Sequence, residues 1–205
     1  MSARREAMSE TKMKKTISRT RLLPLVMIGL AVLFAATAHA TAPGITGTTF
    51  NLTAQSAFIT QPDGAAVYSW GYGCSIAPSG FAPAAIAAGP GDGQAKCPLM
   101  QVPGPTLIVT EGQTITVNLT NNLPTAAGNT SIIFTGFNVT ATGGAAGLLT
   151  TEAAPNGSVA YHFTATTPGT HSYYSGTQGD LQVEMGLYGA IIVLPSSVPA
   201  VCTLT

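Results

Sequence analysis

Residues 50 to 195 consist of short runs rich in β-forming residues, separated by Gly, Pro and Asn, and this pattern leaves few folds open. Such runs, bounded by turn-forming residues, are typical of strands. No internal repeat and no helical period of useful length accompanies them. Seven or eight strands at close spacing predict an all-β fold, a Greek-key β-sandwich. The predicted strands fall within residues 50–60, 65–72, 105–124, 131–141, 158–165, 170–174 and 187–195.

The run from residue 105 to residue 124 shows the pattern most clearly. It is long enough for two strands, with Glu111-Gly112 as the turn between them. In the second strand, Ile115, Val117 and Leu119 alternate with polar residues, as in a strand with one buried face. We therefore expect these three side chains to point into the sandwich.

The first forty residues have the pattern of a secretory signal peptide. Basic residues precede an apolar run from Leu22 to Ala36, and Ala38-His39-Ala40 matches a small-X-small cleavage signature. A membrane anchor is the alternative, but the apolar run has only about 15 residues where a span needs about 20. We predict export to the periplasm or the exterior of a bacterial cell, with no membrane span after cleavage.

Cleavage at this signature would change the charge of the chain. It would remove seven of the eight Lys and Arg residues. One positive side chain would then face six carboxylates, for a net charge of −5. One basic residue cannot neutralise a phosphate backbone, so nucleic-acid binding is excluded. With so few charges on its surface, the protein is expected to dock onto another chain. The residues concerned are Lys96, Asp63, Asp92, Glu111, Glu152, Asp180 and Glu184.

Three cysteines follow the leader: Cys74, Cys97 and Cys202. Export would place them in an oxidising compartment, where disulfides persist. Cys74 and Cys97 bracket a Gly/Pro/Ala-rich excursion and are interpreted as its clamp, worth about 3 kcal/mol in the chain-entropy model. The sequence leaves open whether Cys74 pairs with Cys97 or with Cys202. An unpaired Cys202 would suggest an outside partner.

Four stretches occur in a fixed order: PGPTLIVTEGQTITVNLTNNLP, SIIFTGF, APNGSVAYHFTATTPGTHSYYSG and GLYGAIIVLP. Together, from Pro103 to Pro195, they resemble the N-terminal plastocyanin-like domain of multicopper oxidases, the family that includes laccases. The resemblance implies a cupredoxin-type sandwich. It divides the chain into a signal peptide (1–40), N-terminal strands with the excursion (41–102), a cupredoxin-like core (103–195) and a tail (196–205). The segment 41–102 is expected to be part of the same domain as the core.

The sequence departs from the family at the copper ligands. The resemblance implies that two His-X-His pairs would fall at Ile133 and Thr135 and at Tyr174 and Gly176. In the family, these pairs supply half of the eight imidazoles of a trinuclear copper centre. Isoleucine and glycine have no donor atom, and threonine and neutral tyrosine are poor donors. Copper prefers imidazole nitrogen and soft sulfur, so we expect no copper at these four positions.

The histidines after the leader, His162 and His171, are weak candidates for metal ligands. His162 is interpreted as a surface or hydrogen-bonded strand residue. His171 precedes Tyr174 by three residues, so their side chains should lie on opposite faces of a strand. A blue-copper site also needs Cys and Met close together, and Cys202 and Met185 do not form the compact loop of the family.

The other residues whose side chains could catalyse a reaction or bind a ligand are interpreted as structural. Asp180 and Glu184 could act as an acid–base pair, but in a predicted loop such carboxylates are more often solvated. Trp70, Tyr72 and Phe81 could stack on a glycan or a phenol, but the commoner role of such residues is in the core. No catalytic residue is therefore assigned.

Two functions follow from these observations. The first is an exported domain similar to the first domain of an oxidase that reduces dioxygen at copper, but without the ligands and expected to be inactive alone. The resemblance implies copper as the cofactor of the family, and we expect none in this chain. The partners of such a domain would be a second chain or further cupredoxin domains. The second is a non-catalytic periplasmic module that is structural or binds a partner.

Overall fold

The computed structural model describes residues 42–84 and 97–197. The predicted signal peptide (1–40), the centre of the excursion between the first two cysteines, and the end of the tail with Cys202 lie outside these residues. Within the described ranges, no helix is long and apolar enough to cross a membrane.

The fold is a β-sandwich of two large mixed sheets with a small hairpin beside them, and the predicted fold class is confirmed. The strands in chain order are β1 (Gly44–Thr46), β2 (Thr49–Thr60), β3 (Ala66–Cys74), β4 (Gly80–Ala82), β5 (Leu107–Thr110), β6 (Thr114–Asn122), β7 (Ile133–Phe134), β8 (Thr140–Gly143), β9 (Ala145–Ala146), β10 (Thr151–Glu152), β11 (Ser158–Thr164), β12 (Gly169–Tyr174) and β13 (Tyr188–Leu194). A 3-10 turn covers Thr125–Ala127, and a short helix, α1, covers Gly179–Met185.

The first large sheet has six strands in the order β4-β1-β5-β13-β12-β7, and the second has five in the order β3-β2-β6-β11-β8. Among the strands of the described ranges, β9 and β10 pair only with each other. In the five-stranded sheet, β2 runs parallel to β6, with Leu52 opposite Leu119. In the six-stranded sheet, β5 runs parallel to both β1 and β13.

The alternation predicted for the second half of the 105–124 run is present in β6. Ile115, Val117 and Leu119 are fully buried, while the residues between them are partly exposed. Their neighbours in β2, Phe50 and Leu52, are buried as well. The core therefore lies between the two large sheets, and large side chains from both sheets fill it: Tyr72, Tyr161, Tyr173, Leu52, Leu107, Ile115, Leu119, Ile132, Leu187 and Ile191.

Two sequence predictions about secondary structure are wrong. The run 131–141 was predicted as one strand, but it forms β7 in the six-stranded sheet and β8 in the five-stranded sheet. Gly136 has a φ of 84°, which ends the extended backbone after β7 and lets the chain cross between the sheets. The segment that contains Asp180 and Glu184 was predicted as a loop, but it is the helix α1.

A disulfide joins Cys74, the last residue of β3, to Cys97, with the two Cα atoms 5.5 Å apart. Just beyond it, the Cys74 amide donates to the Pro98 carbonyl at 2.9 Å, and the Gln101 amide donates to the Tyr72 carbonyl at 3.2 Å. The segment from Cys97 to Gln101 is thus held against the outer edge of β3.

Candidate functional site

The four positions at which the resemblance implies copper ligands lie together at one end of the six-stranded sheet. Ile133 in β7 is directly opposite Tyr174 in β12. Thr135 follows β7 and Gly176 follows β12, each two residues further along, so all four side-chain positions are on one face. The residues between them, such as Phe134 and Tyr173, are buried in the core. The four positions therefore occupy the outer face of the sheet, at its edge strand.

Ile133 fills the space beside Gly176. A Cβ atom placed on Gly176 would lie 2.8 Å from both Cγ1 and Cδ1 of Ile133 and 3.2 Å from the Ser131 hydroxyl. A side chain at Gly176 therefore requires Ile133 to move. The Gly176 amide donates to Ser131 Oγ at 3.1 Å, which fixes the backbone at this point.

Thr135 is hydrogen-bonded to Ser172, the residue two before Tyr174. Its hydroxyl donates to the Ser172 carbonyl at 2.9 Å and accepts from the Ser172 amide at 3.2 Å. The Thr135 amide donates to the same carbonyl at 3.1 Å. The Thr135 hydroxyl thus helps to hold β12 to the end of β7. A hydroxyl oxygen is also a poor copper donor.

The donor set does not fit copper. The four positions offer two side chains without any donor atom, one hydroxyl that is already hydrogen-bonded and one phenol. They include neither imidazole nitrogen nor sulfur, the donors that copper prefers. In the described parts of the chain, His, Cys, Asp and Glu form no group of three that could hold a metal ion.

A polar network that sequence reasoning missed lies under these positions. The buried Gln182 of α1 accepts from Thr130 Oγ1 at 2.9 Å and from Ser175 Oγ at 2.7 Å. Its amide nitrogen donates to the Asn129 carbonyl at 2.8 Å. Gln182 thus fastens α1 to the segments that precede Ile133 and Gly176.

A second series of hydrogen bonds connects Ser131 and Thr177 to the carboxylate of Glu152. Thr177 Oγ1 donates to Glu152 Oε1 at 2.8 Å, and Asn129 Nδ2 donates to the other carboxylate oxygen at 3.0 Å. Because the Thr177 proton goes to Glu152, the Ser131 hydroxyl donates to Thr177 Oγ1, at 2.9 Å. The partners are 23 to 46 residues apart in sequence, and no sequence motif connects them.

Three buried tyrosines fix the backbone around the site. The Tyr72 hydroxyl donates to the Ser131 carbonyl at 2.6 Å, and the Tyr161 hydroxyl accepts from the Ile132 amide at 3.0 Å. The Tyr173 hydroxyl donates to the Pro105 carbonyl at 2.6 Å. Burial raises the pKa of all three phenols well above the ordinary value, because the charged phenolate would lose its hydration.

The histidines lie on different faces of different sheets. His162 is on the outer face of the five-stranded sheet, with Nδ1 3.1 Å from Thr116 Oγ1 and Nε2 3.2 Å from Thr142 Oγ1. His171 is on the inner face of the six-stranded sheet, the face opposite to Tyr174. Its Nε2 donates to the Thr167 carbonyl at 2.9 Å, and its ring centroid is 4.6 Å from that of Phe137.

The remaining candidates are not brought together as a site. Asp180 and Glu184 are both exposed on α1. Trp70 and Tyr72 are buried, and Phe81 is partly buried against the same core. Met185 also packs against this core, while Cys202 lies outside the described residues.

A family model described as multicopper oxidase matches residues 99–198. An L-ascorbate oxidase from Brassica rapa subsp. pekinensis is 37% identical over 98 residues, which are 45% of this chain and 16% of that protein.

Solved structures show the same fold. A multi-copper oxidase from Pseudomonas thermotolerans matches with a TM-score of 0.55 and 19% identity, over 77% of this chain and 31% of that one. A copper nitrite reductase from Nitrosomonas europaea matches with a TM-score of 0.53 and 22% identity, over 75% of this chain and 44% of that one. The chain spans less than half the length of each of these proteins.

Proposed function

The chain contains a cupredoxin-like domain of the multicopper oxidase family, and from this premise we propose that it is an exported domain that binds no copper and is inactive alone. Its role would be to associate with a second chain or with further cupredoxin domains. The greater length of the similar proteins supports this proposal, because each contains much more chain than the matched region.

One observation supports the proposal: none of the four ligand positions carries a donor that copper favours, and two of them are already used in packing or in hydrogen bonds. Ile133 fills the volume beside Gly176, and Thr135 is hydrogen-bonded to Ser172. A side chain as large as an imidazole at Gly176 would have to displace Ile133. The site has therefore become part of the surface packing of the sheet.

A second candidate function, a structural module that docks onto a partner without any oxidase role, is favoured by the outer face of the six-stranded sheet. Ile133, Tyr174 and Tyr188 form one row across β7, β12 and β13. The outward residues of β12 and β13 include no charged side chain. An uncharged face with exposed tyrosine loses little hydration when it is covered, and tyrosine is enriched at interfaces.

Copper stoichiometry tests the first proposal. The purified chain is loaded with Cu(I) and Cu(II), dialysed against a mild chelator, and its metal is counted by mass spectrometry. We expect less than about 0.1 equivalent, since the four positions offer no favoured donor. One tightly held copper would overturn the proposal, and the variants His162→Ala and His171→Ala would then locate it.

Export is tested separately. The chain is expressed with its own N-terminus in a bacterium, and the first residues of the periplasmic or secreted product are sequenced. A new N-terminus at Thr41 is the expected result, since Ala38-His39-Ala40 matches a cleavage signature. An uncleaved product in the cytoplasm would contradict the proposal of export.

A further inference from the structure

Within residues 42–84 and 97–197, nothing pairs with the edge of β3 at its N-terminal end. The Gln61 amide donates to the Ala65 carbonyl, so the odd-numbered residues of this strand turn their peptide groups towards β2. The even-numbered residues turn theirs outwards, as the hydrogen bonds of Tyr72 and Cys74 to the 98–101 segment show. Among the described residues, the outward peptide groups of Ala66 and Tyr68 have no hydrogen-bond partner.

The side chains around this open edge are apolar and exposed. Val67 and Tyr68 are each 43% exposed, and Phe58, which faces Tyr68 across the hairpin, is 68% exposed. The rings of Phe58 and Tyr68 are 5.5 Å apart and cover each other only in part. Edge strands are commonly protected by Lys, Pro or a bulge, and the stretch from Ala66 to Trp70 contains neither Lys nor Pro.

We propose that this edge pairs with the same edge of a second copy of the chain, antiparallel, with the two-fold axis at Val67. In this register, Ala66 of each copy is opposite Tyr68 of the other, and the two residues exchange both backbone hydrogen bonds. The open groups of both copies are then satisfied by four hydrogen bonds. Val67 is opposite its own counterpart at a non-hydrogen-bonded position, where a pair of β-branched side chains packs well.

Charge favours a copy of this chain over a basic partner at this edge. No charged side chain lies between Ala66 and Trp70, so a basic strand would find no carboxylate opposite it. Asp63, in the turn before β3, is the carboxylate nearest in sequence. The two Asp63 side chains of a dimer would be roughly 20 Å apart along the strands, beyond the screening length at physiological salt. The five-stranded sheets of the two copies would join into one continuous sheet.

Sedimentation velocity over a concentration series tests the proposal, with Val67→Lys and Ala66→Pro as variants. Lys at position 67 places two like charges directly opposite each other, and Pro at position 66 removes two of the four hydrogen bonds. We expect each to raise the dimer dissociation constant at least about tenfold, which corresponds to about 1.4 kcal/mol. Leu148→Lys is the matched control, since Leu148 is 94% exposed elsewhere, and it should leave the constant unchanged.

Hydrogen exchange identifies the surface directly. Protection of the Ala66 and Tyr68 amides should rise with chain concentration in the wild type and not in Val67→Lys. Near-UV circular dichroism of each variant checks that the sandwich itself is intact. A wild-type chain that stays monomeric at ~100 µM overturns the proposal, and so does a dimer in which these two amides exchange freely. Neither result depends on whether the chain binds copper.

Discussion

The contact between Ile133 and Gly176 predicts an energetic coupling between two of the implied ligand positions. The perturbation is Gly176→Ala, made in the wild type and in an Ile133→Ala background. The backbone of Gly176 is not in the left-handed region, so alanine is acceptable there apart from the space it needs. A Cβ atom 2.8 Å from Ile133 Cγ1 and Cδ1 must displace that side chain.

Two opposing terms set the magnitude. Replacing glycine reduces the conformational entropy of the unfolded chain and stabilises the fold by about 0.4–1 kcal/mol where the backbone permits. Overpacking costs about 1–3 kcal/mol. In the wild type, we therefore expect Gly176→Ala to lower the free energy of unfolding by about 1 kcal/mol. With Ile133 truncated, only the 3.2 Å approach to the Ser131 hydroxyl remains, and the same substitution should change the free energy of unfolding by between zero and about +0.5 kcal/mol.

Urea unfolding of the four proteins in this cycle measures the coupling, with the fluorescence of Trp70 as the probe. Trp70 is the only tryptophan of the chain and is buried, so its emission should follow the loss of the core. The coupling energy should be about 1–3 kcal/mol, with no change in the dependence on denaturant. An equal effect of Gly176→Ala in both backgrounds would refute the reasoning, and a histidine at Gly176 would then no longer be excluded by Ile133.

Two further predictions concern the residues beneath the site. Burial raises the pKa of Tyr72, Tyr161 and Tyr173, so above pH 10 these phenols keep their protons in the folded state while the unfolded chain loses them. Their contribution to the free energy of unfolding is therefore complete below pH 10 and is lost as the pH rises. The free energy of unfolding should fall by about 4 kcal/mol per pH unit there, and by about one third less in Tyr173→Phe, as measured by urea unfolding between pH 10 and 12; an unchanged slope in that variant would contradict the assignment. Gln182→Leu should cost about 3 kcal/mol, because it leaves two hydroxyls and a carbonyl without their partner, whereas Glu184→Gln on the exposed side of the same helix should change stability by less than about 0.5 kcal/mol in the same assay.

The long strands could be predicted from the sequence, and the shortest ones could not. In β6, burial of every second residue imposes a period that the sequence shows directly. β7 has only two residues, which is too short to show a period, and β-forming residues continue on both sides of it. The chain changes sheets near Gly136 because of tertiary packing, and apart from this glycine the run 131–141 gives no indication that the strand is interrupted.

The helix α1 was missed for a related reason. It has seven residues, and its N-cap position, Gln178, makes no side-chain capping hydrogen bond. Seven residues are too few to show a helical period, and the sequence has no capping residue at the start of the helix. Contacts of Gln182 with Thr130 and Asn129, about fifty residues away in sequence, hold the helix in place. The positions of the candidate site could be found by resemblance, whereas the hydrogen bonds beneath it depend on residues that only the fold brings together.

The disulfide between Cys74 and Cys97 makes the exposed length of the β3 edge depend on redox conditions. It holds in place the segment that covers the C-terminal half of this edge, while no described residue pairs with the N-terminal half. With both cysteines reduced, the described contacts that hold this segment to the edge are two backbone hydrogen bonds and the close approach of the 98–101 backbone to Gly71 and Gly73. A chain in which this segment detaches before oxidation would present a longer unpaired strand, and unpaired edges promote aggregation. Oxidation would therefore limit the exposure of this edge, an effect on solubility that is separate from the contribution of the disulfide to stability.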